Sequence, residues 1–312
     1  MTHSSAALVI GIKRHSSESL TSISILIGAL ILTGYAAKTA SLLAGGVQAA
    51  PATGPAGIVL KYKMPAGLIL RYQDAGKTVE STNVMGQSSE TVATNSGLQS
   101  FQAKGLKGSD YILSVTIDDA AMSIISPQGD LSPDLSSIRG KGFDMVLSPK
   151  GVEVDVSAAE SLTFQIAGIV RNLASGFKIF FPDLPDKPVK LGDSWPTSLV
   201  IDDKAGTMNR RNEIQIVNTF EAIETVDGME CVRIVSKLTG AVSGKGGQQG
   251  ADLLITGTTK GTDIWYFAPK EGRFVKSTSE AVSELTIAVT GPHSVTIPMT
   301  QKRTSEVKLV SR

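Results

Sequence analysis

Apolar and polar positions alternate along most of the chain after its first sixty residues. Tyr111, Leu113, Val115 and Ile117 alternate with Ile112, Ser114 and Thr116, and Leu285, Ile287 and Val289 repeat the pattern. A period of two is the mark of a strand with one buried face. Leu68–Tyr72, Lys77–Met85, Thr91–Ala103 and Ala121–Ile125 read as further strands, those between 77 and 103 with the weaker apolar face of solvent-facing or edge strands. Asp118-Asp119 is expected to end the strand before it, and Pro127–Ser137, with two prolines and a glycine, to form a loop. Phe143–Leu147, the turn Ser148–Gly151 and Val152–Val154 predict a hairpin. Ser243–Gly250 reads as a flexible glycine-rich loop, and the Gly291-Pro292-His293 turn leads into a closing hairpin that reaches Val310.

One stretch breaks this rhythm. Between Ser157 and Gly176, Leu162, Ile166, Ile169, Val170 and Leu173 fall at the offsets of a helical stripe. Ser157 followed by Glu160 has the form of a capping box, so an amphipathic helix is expected here. Pro182, Pro185 and Pro188 then forbid both helix and interior sheet pairing, which predicts a stiff extended connector.

The β-patterned stretches on either side share landmarks. Phe101 and Phe220 lie 119 residues apart, Gly108 and Gly228 120, Asp144 and Asp263 119, Pro149-Lys150 and Pro269-Lys270 120, and Gly67 and Gly192 125. A unit of this length is too long for a solenoid repeat and suits two half-sheets around one core. The expected organisation is a leader over 1–49, a spacer over 50–58, a first β repeat over 59–156, the central helix and connector over 157–191, and a second β repeat over 192–312. The expected fold is mainly β: a duplicated antiparallel sheet, curved or half-barrel, with the helix against its concave face.

The N-terminus changes the picture. Lys13 and Arg14 precede the apolar run Ile23–Leu32, and Val47-Gln48-Ala49-Ala50 follows, the layout of a secretory signal. Leu20 to Ala37 carries no charge over 18 residues, so an uncleaved membrane anchor is the other reading. Under either, everything after Ala50 is exported, and membrane contact comes only through this segment. Tyr35 stands where a lipoprotein's acylated cysteine would be. Cleavage after Ala49 would change the charged-residue count from 30 basic and 29 acidic to 27 and 28, a formal charge of −1 that offers no argument for nucleic acid as a partner. Cys231, the sole cysteine, reads as a small buried hydrophobe in a strand.

Candidate chemistry is sparse. The glycine-rich loop lacks the Gly-Lys-Ser/Thr ending of a phosphate cradle. Asp118-Asp119 and Asp202-Asp203 are adjacent pairs, and neighbouring strand residues point to opposite faces. His3, His15 and His293 are the only histidines, two of them in the leader, so no metal ligand set, cofactor or catalytic residue is assigned. The residues expected to line a cavity are Tyr111, Leu113, Val115 and Ile117 on the strand, Leu162, Ile166, Ile169 and Leu173 on the helix, and Trp195 and Trp265, although sealing the sheet's inner face is the default role of such rings.

Phe181-Pro182-Asp183-Leu184-Pro185, Val189–Trp195, Gly261–Phe267 and Gly272-Arg273 together resemble an uncharacterised family of exported bacterial proteins, often lipoproteins, defined only as a domain of unknown function. In outline the pattern is also similar to the periplasmic lipoprotein-carrier superfamily, which implies a curved sheet wrapped about a helix with an apolar cavity. The expected function is non-enzymatic binding of a lipid or other apolar or amphipathic ligand in the cell envelope. The alternative is a structural or adaptor protein that binds another envelope protein, with an enzyme of unrecognised type in third place.

Overall fold

The computed structural model describes residues 57–84, 86–248, 251–290 and 294–311. The leader, the spacer up to Ala56, the end of the glycine-rich loop at Gln249-Gly250 and the Gly291-Pro292-His293 turn lie outside the described residues.

The chain forms β1 (Ile69–Val84), β2 (Gln87–Lys107), β3 (Asp110–Ile125), β4 (Gly142–Leu147) and β5 (Glu153–Asp155), followed by a 3-10 turn (Ser157–Ser161). A small hairpin, β6 (Thr163–Ile166) and β7 (Ile169–Asn172), and the one-turn helix α1 (Ala174–Phe177) come next. The second half is β8 (Ser194–Ala205), β9 (Met208–Val226), β10 (Met229–Gln248), β11 (Ala251–Ala268), β12 (Arg273–Thr290) and β13 (Val295–Ser311). Eleven strands make one antiparallel sheet in the order β5-β4-β3-β2-β1-β13-β12-β11-β10-β9-β8. The last strand therefore lies beside the first, with Thr82 opposite Met299 and Lys77 opposite Thr304. The sheet does not close into a barrel, and β5 and β8 are its two ends.

Period-two patterning explains the layers. On β10 and β11 the inward residues Ile234, Leu238, Trp265 and Phe267 are buried, while Lys237 and Lys260 face out. The main core gathers at one end of the sheet from Leu70, Tyr72, Phe101, Val115, Phe220, Ile234, Trp265 and Phe274. A second cluster, with Met208, Leu253, Ile255, Leu285, Ile297 and Met299, occupies the other end of β8–β13.

The proline-rich connector is buried over 180–185 and exposed over 186–188. Phe180, Phe181 and Leu184 enter the main core, and Phe181 packs edge-on to Tyr62 and Tyr72. Irregular backbone at such depth must find partners for its polar groups. Phe181 N donates to Glu153 Oε1 at 2.9 Å, Leu184 N to the Lys150 carbonyl at 2.7 Å, and the Tyr62 hydroxyl to the Pro182 carbonyl at 3.0 Å. The N-terminal segment Ile58–Met64 runs alongside, bonded through Ile58 to Val189, through Tyr62 N to Pro149 O and through Lys63 N to Gly272 O. Lys150 Nζ binds the carbonyls of Leu60 and Pro185, which ties the connector and the N-terminal segment to one turn.

The amphipathic helix expected over 157–176 is not what these residues form. Ala167 and Gly168 have φ of 48° and 79° and join β6 to β7 in a two-residue turn, with Ile166 opposite Ile169 and Thr163 opposite Asn172. Positive φ at both central positions is the hairpin geometry that matches strand twist, and the flanking Thr163, Ile166, Ile169 and Val170 are β-branched. The expected stripe is divided: Leu162 and Leu173 pack on the main core, Ile166 joins Ala93 and Ile124, Ile169 bridges towards the second cluster, and Val170 is exposed. Ser157 does not cap a helix. Its hydroxyl and its N–H both donate to Asp155 Oδ1, at 2.7 and 3.0 Å.

Two further expectations change. β3 continues past Asp118-Asp119 to Ile125, because Asp118 is accommodated as a bulge where the β2 register shifts between Leu98 and Gln99. There it accepts from Ser100 Oγ at 2.5 Å and pairs with Arg71. Residues 243–248, expected as loop, extend β10 against β9 and β11. Glycine serves close approach here, since a Cβ on Gly246 would lie 2.9 Å from Met208 Cα.

Candidate binding site

Between the two apolar clusters the concave face is polar. Glu80 of β1 is 2% exposed, and its Oε1 accepts from Gln301 Nε2 of β13 at 2.7 Å. Burial pushes this carboxyl up to about 8, against the smaller opposing effects of Gln301 and the Arg210 charge. On β11, Asp263 is also buried and is pushed up to about 7 by desolvation, with Ser279 Oγ donating to its Oδ1 at 2.8 Å. At the open margin, Arg171 of β7 meets Asp203 of β8 at 3.7 Å, and this buried pair joins the hairpin to the last strand of the sheet.

Two cavities lie along this band. One, of about 90 Å³, has Leu199, Ile201, Ile214, Leu238 and Val242 on its β8–β10 wall. Opposite, on β12 and β13, stand Ser283, Gln301 and Arg303. That strands so far apart in the order share one cavity follows from the curl of the sheet. The other, of about 180 Å³, lies between α1 and the β13-β1-β2 face and is lined by Leu173, Phe177, Phe180, Asp74, Asn95 and Gln99. Arg303 and Ser305 line both.

Asp74 is the hub of the larger cavity. Gln99 Nε2 donates to its Oδ1 at 2.6 Å and Asn95 Nδ2 to its Oδ2 at 3.3 Å. Burial raises the Asp74 carboxyl above its ordinary value, and these two amides oppose the rise.

Most residues expected to line a cavity sit elsewhere. Leu113, Val115, Ile117 and Trp265 are packed in the main core, with Tyr111, Leu162, Leu173 and Trp195 against it. Leu173 also lines the larger cavity. The Tyr111 hydroxyl donates to the Tyr62 carbonyl at 2.8 Å, which fastens the N-terminal segment. Ile166 and Ile169 belong to the hairpin's contact with β2 and β3. The polar residues of the band were not anticipated, although parity could have marked them. Asp74 and Glu80 share the inward parity of Leu70 and Tyr72, as Asp263 shares that of Trp265 and Arg303 that of Val307. Cys231 is a buried free thiol whose Sγ lies 3.5 Å from the Met229 carbonyl. Among the described residues no three His, Cys, Asp or Glu side chains gather as a metal site.

No protein-family profile matches the chain, and no curated protein does. Solved structures with a distant likeness include Pseudomonas aeruginosa OccK2 (OpdF), at 6% identity and a TM-score of 0.23 over 78% of this chain and 98% of that one. The same protein in complex with glucuronate aligns at 9% identity and 0.23 over 80% and 98%. Acinetobacter baumannii OccAB4 aligns at 8% identity and 0.19 over 78% and 99%. Likeness at this level carries neither fold nor function across. The convex face of the sheet presents Lys77, Lys237, Lys260, Glu280, Glu284 and Lys302 to solvent. A membrane-spanning barrel has the reverse arrangement, with an apolar band outward. No described helix is long and apolar enough to cross a membrane.

Proposed function

We propose that this protein is a non-enzymatic binding protein of the cell envelope that holds an amphipathic ligand inside its curved sheet. The observation that carries the reading is a cavity in which the apolar side chains Leu199, Ile201, Ile214, Leu238, Val242 and Leu285 are combined with a few polar ones, Arg210, Asn212, Ser283, Gln301 and Arg303. Ligand sites combine a largely apolar lining with a few placed polar groups in this way. Filling the interior with side chains throughout would instead favour the adaptor role. Envelope location rests on the leader, whose basic, apolar and small-residue segments have the order of an export signal.

The reading includes an origin by duplication. Its support is that Gly67 and Gly192, Gly108 and Gly228, and Gly151 and Gly272 all have positive φ at corresponding places in the two halves. Pro149 and Gly272, in the matching turns, both accept from the same N-terminal segment, at Tyr62 N and Lys63 N.

Titration of delipidated protein with a fluorescent fatty acyl probe tests the function. Saturable binding is expected, weakened at least about tenfold by Leu238→Trp, which fills the cavity. Absence of saturable binding, with a stable protein partner recovered from the envelope, would instead establish the adaptor role.

A further inference from the structure

The large sheet leaves one seam. Its ladder runs from β5 to β8, and those two strands do not pair with each other. β4 accompanies β3 only as far as Thr116, so at the level of Ile124 the seam lies between β3 and β8. The hairpin of β6 and β7 spans it. On one side Ile166 is buried with Ala93 of β2 and Ile124 of β3. On the other, a Cβ on Gly206, just past the end of β8, would lie 3.6 Å from Ile169 Cγ2, and Arg171 pairs with Asp203 of β8 at 3.7 Å.

The hairpin and the sheet are held by different forces. Every strand from β4 to β9 in the sheet order has a backbone ladder on both sides. β6 and β7 pair with each other as a separate sheet, and among the described residues no ladder joins them to the large one. Side-chain contacts fasten the hairpin instead, together with the bond from Ser137 Oγ to the Thr163 carbonyl at 2.8 Å. A segment tied in this way opens at a lower free energy than the ladders around it. Leu162 and Leu173, at its base, pack against the main core, so the tip at Ala167-Gly168 is the part free to lift.

The seam also borders the binding cavity. Asp203 stands opposite Arg210 in the β8–β9 register, and Arg210, Ile201 and Asn212 line the 90 Å³ cavity. A ligand entering through the sheet would have to break a ladder, whereas one entering at the seam leaves every ladder intact.

We infer that the β6–β7 hairpin is a latch on this seam, and that its tip swings away from β3 and β8 to admit and release the amphipathic ligand. The inference rests on the functional proposal for the ligand itself.

The test reads rates beside affinity. Stopped-flow mixing of the leader-free chain with the fluorescent fatty acyl probe gives the association and dissociation rate constants. Ile166 lines neither cavity, so loosening it changes the path and leaves the bound state alone. Ile166→Ala should raise both rate constants at least about tenfold, with Kd unchanged within about twofold. Hydrogen exchange of the amides over 163–172 should quicken in step. Ile166→Val, which removes a single methylene, should move all three in the same direction by less. Rate constants that stay at their natural values in these variants overturn the latch and leave binding standing. A rise in dissociation alone, with weakened Kd, also overturns it, because Ile166 would then support the bound state rather than the path. Failure of the probe to bind the natural sequence overturns the functional proposal and the latch with it.

Discussion

The Trp265 indole donates to Ser236 Oγ at 2.9 Å across the β10–β11 pair. From there the chain of bonds continues outward. Ser236 Oγ donates to Asn218 Oδ1 at 2.5 Å, and Asn218 Nδ2 to Thr197 Oγ1 at 3.2 Å. Four adjacent strands, β11 to β8, are thus linked inside the fold through side chains that all sit on the inward face. Trp265 is consequently fixed as a structural ring with a satisfied N–H and is not a mobile cavity wall.

Removing the middle of this chain should be costly. Ser236→Ala leaves the Trp265 Nε1–H and the Asn218 carbonyl without their shared partner in a buried place. The expected loss is about 1–3 kcal/mol per stranded group, measured by urea unfolding at constant m-value. Thr197→Val at the chain's end should cost less. Equal losses would show that the four residues do not act as a chain.

The hairpin of β6 and β7 makes opposite predictions from a helix over the same residues. Gly168 has φ of 79°, so Gly168→Ala should destabilise by about 1–2 kcal/mol, the cost of a left-handed conformation for an L-residue. In a helix the same change would stabilise by about 1 kcal/mol. Ala167, at φ 48°, is the complementary case, and Ala167→Asn should raise the melting temperature.

How much of this was legible follows from these residues. The period-two pattern revealed the strands, because one face of each is buried and the other solvated, as Leu113, Val115 and Ile117 illustrate. It could not distinguish a hairpin from a helix across Leu162–Leu173, where the eight residues between Leu162 and Arg171 carry no charge and short apolar runs fit both periods. Ala167-Gly168 between isoleucines was the overlooked turn signal. Strand order was also beyond reach, since nothing local places Thr82 opposite Met299. The polar band stayed hidden for a further reason: inward polar residues such as Asp74 and Arg303 interrupt an apolar parity, and sequence alone reads the interruption as a weaker strand.

The Arg171–Asp203 pair carries a third prediction. Both side chains are about nine-tenths buried, and the pair is a contact between the hairpin and the edge strand β8. Arg171→Met should cost about 3–5 kcal/mol, because Asp203 is left charged and desolvated. Adding Asp203→Leu should recover most of that loss. A double variant no more stable than Arg171→Met alone would mean that the arginine acts through packing rather than charge.

Glu80 gives the last prediction, in pH. Its carboxyl is held at about 8 in the folded protein, against an ordinary value of 4.5. Between these two values the folded chain keeps a proton that the unfolded chain has released, so unfolding gives up protons and stability falls as pH rises. The contribution is fully present below about 4.5 and is lost through about 8. Asp263, held at about 7 against 3.8, acts in the same direction over a lower window. Glu80→Gln removes the titration and preserves an acceptor for Gln301 Nε2. Melting temperatures at pH 5, 6, 7 and 8 should therefore decline more steeply in the natural sequence than in Glu80→Gln, with the gap widest between pH 6 and 8. Adding Asp263→Asn should flatten the profile further. Parallel profiles would mean that Glu80 is ionised in the folded state, with Arg210 as its compensating charge.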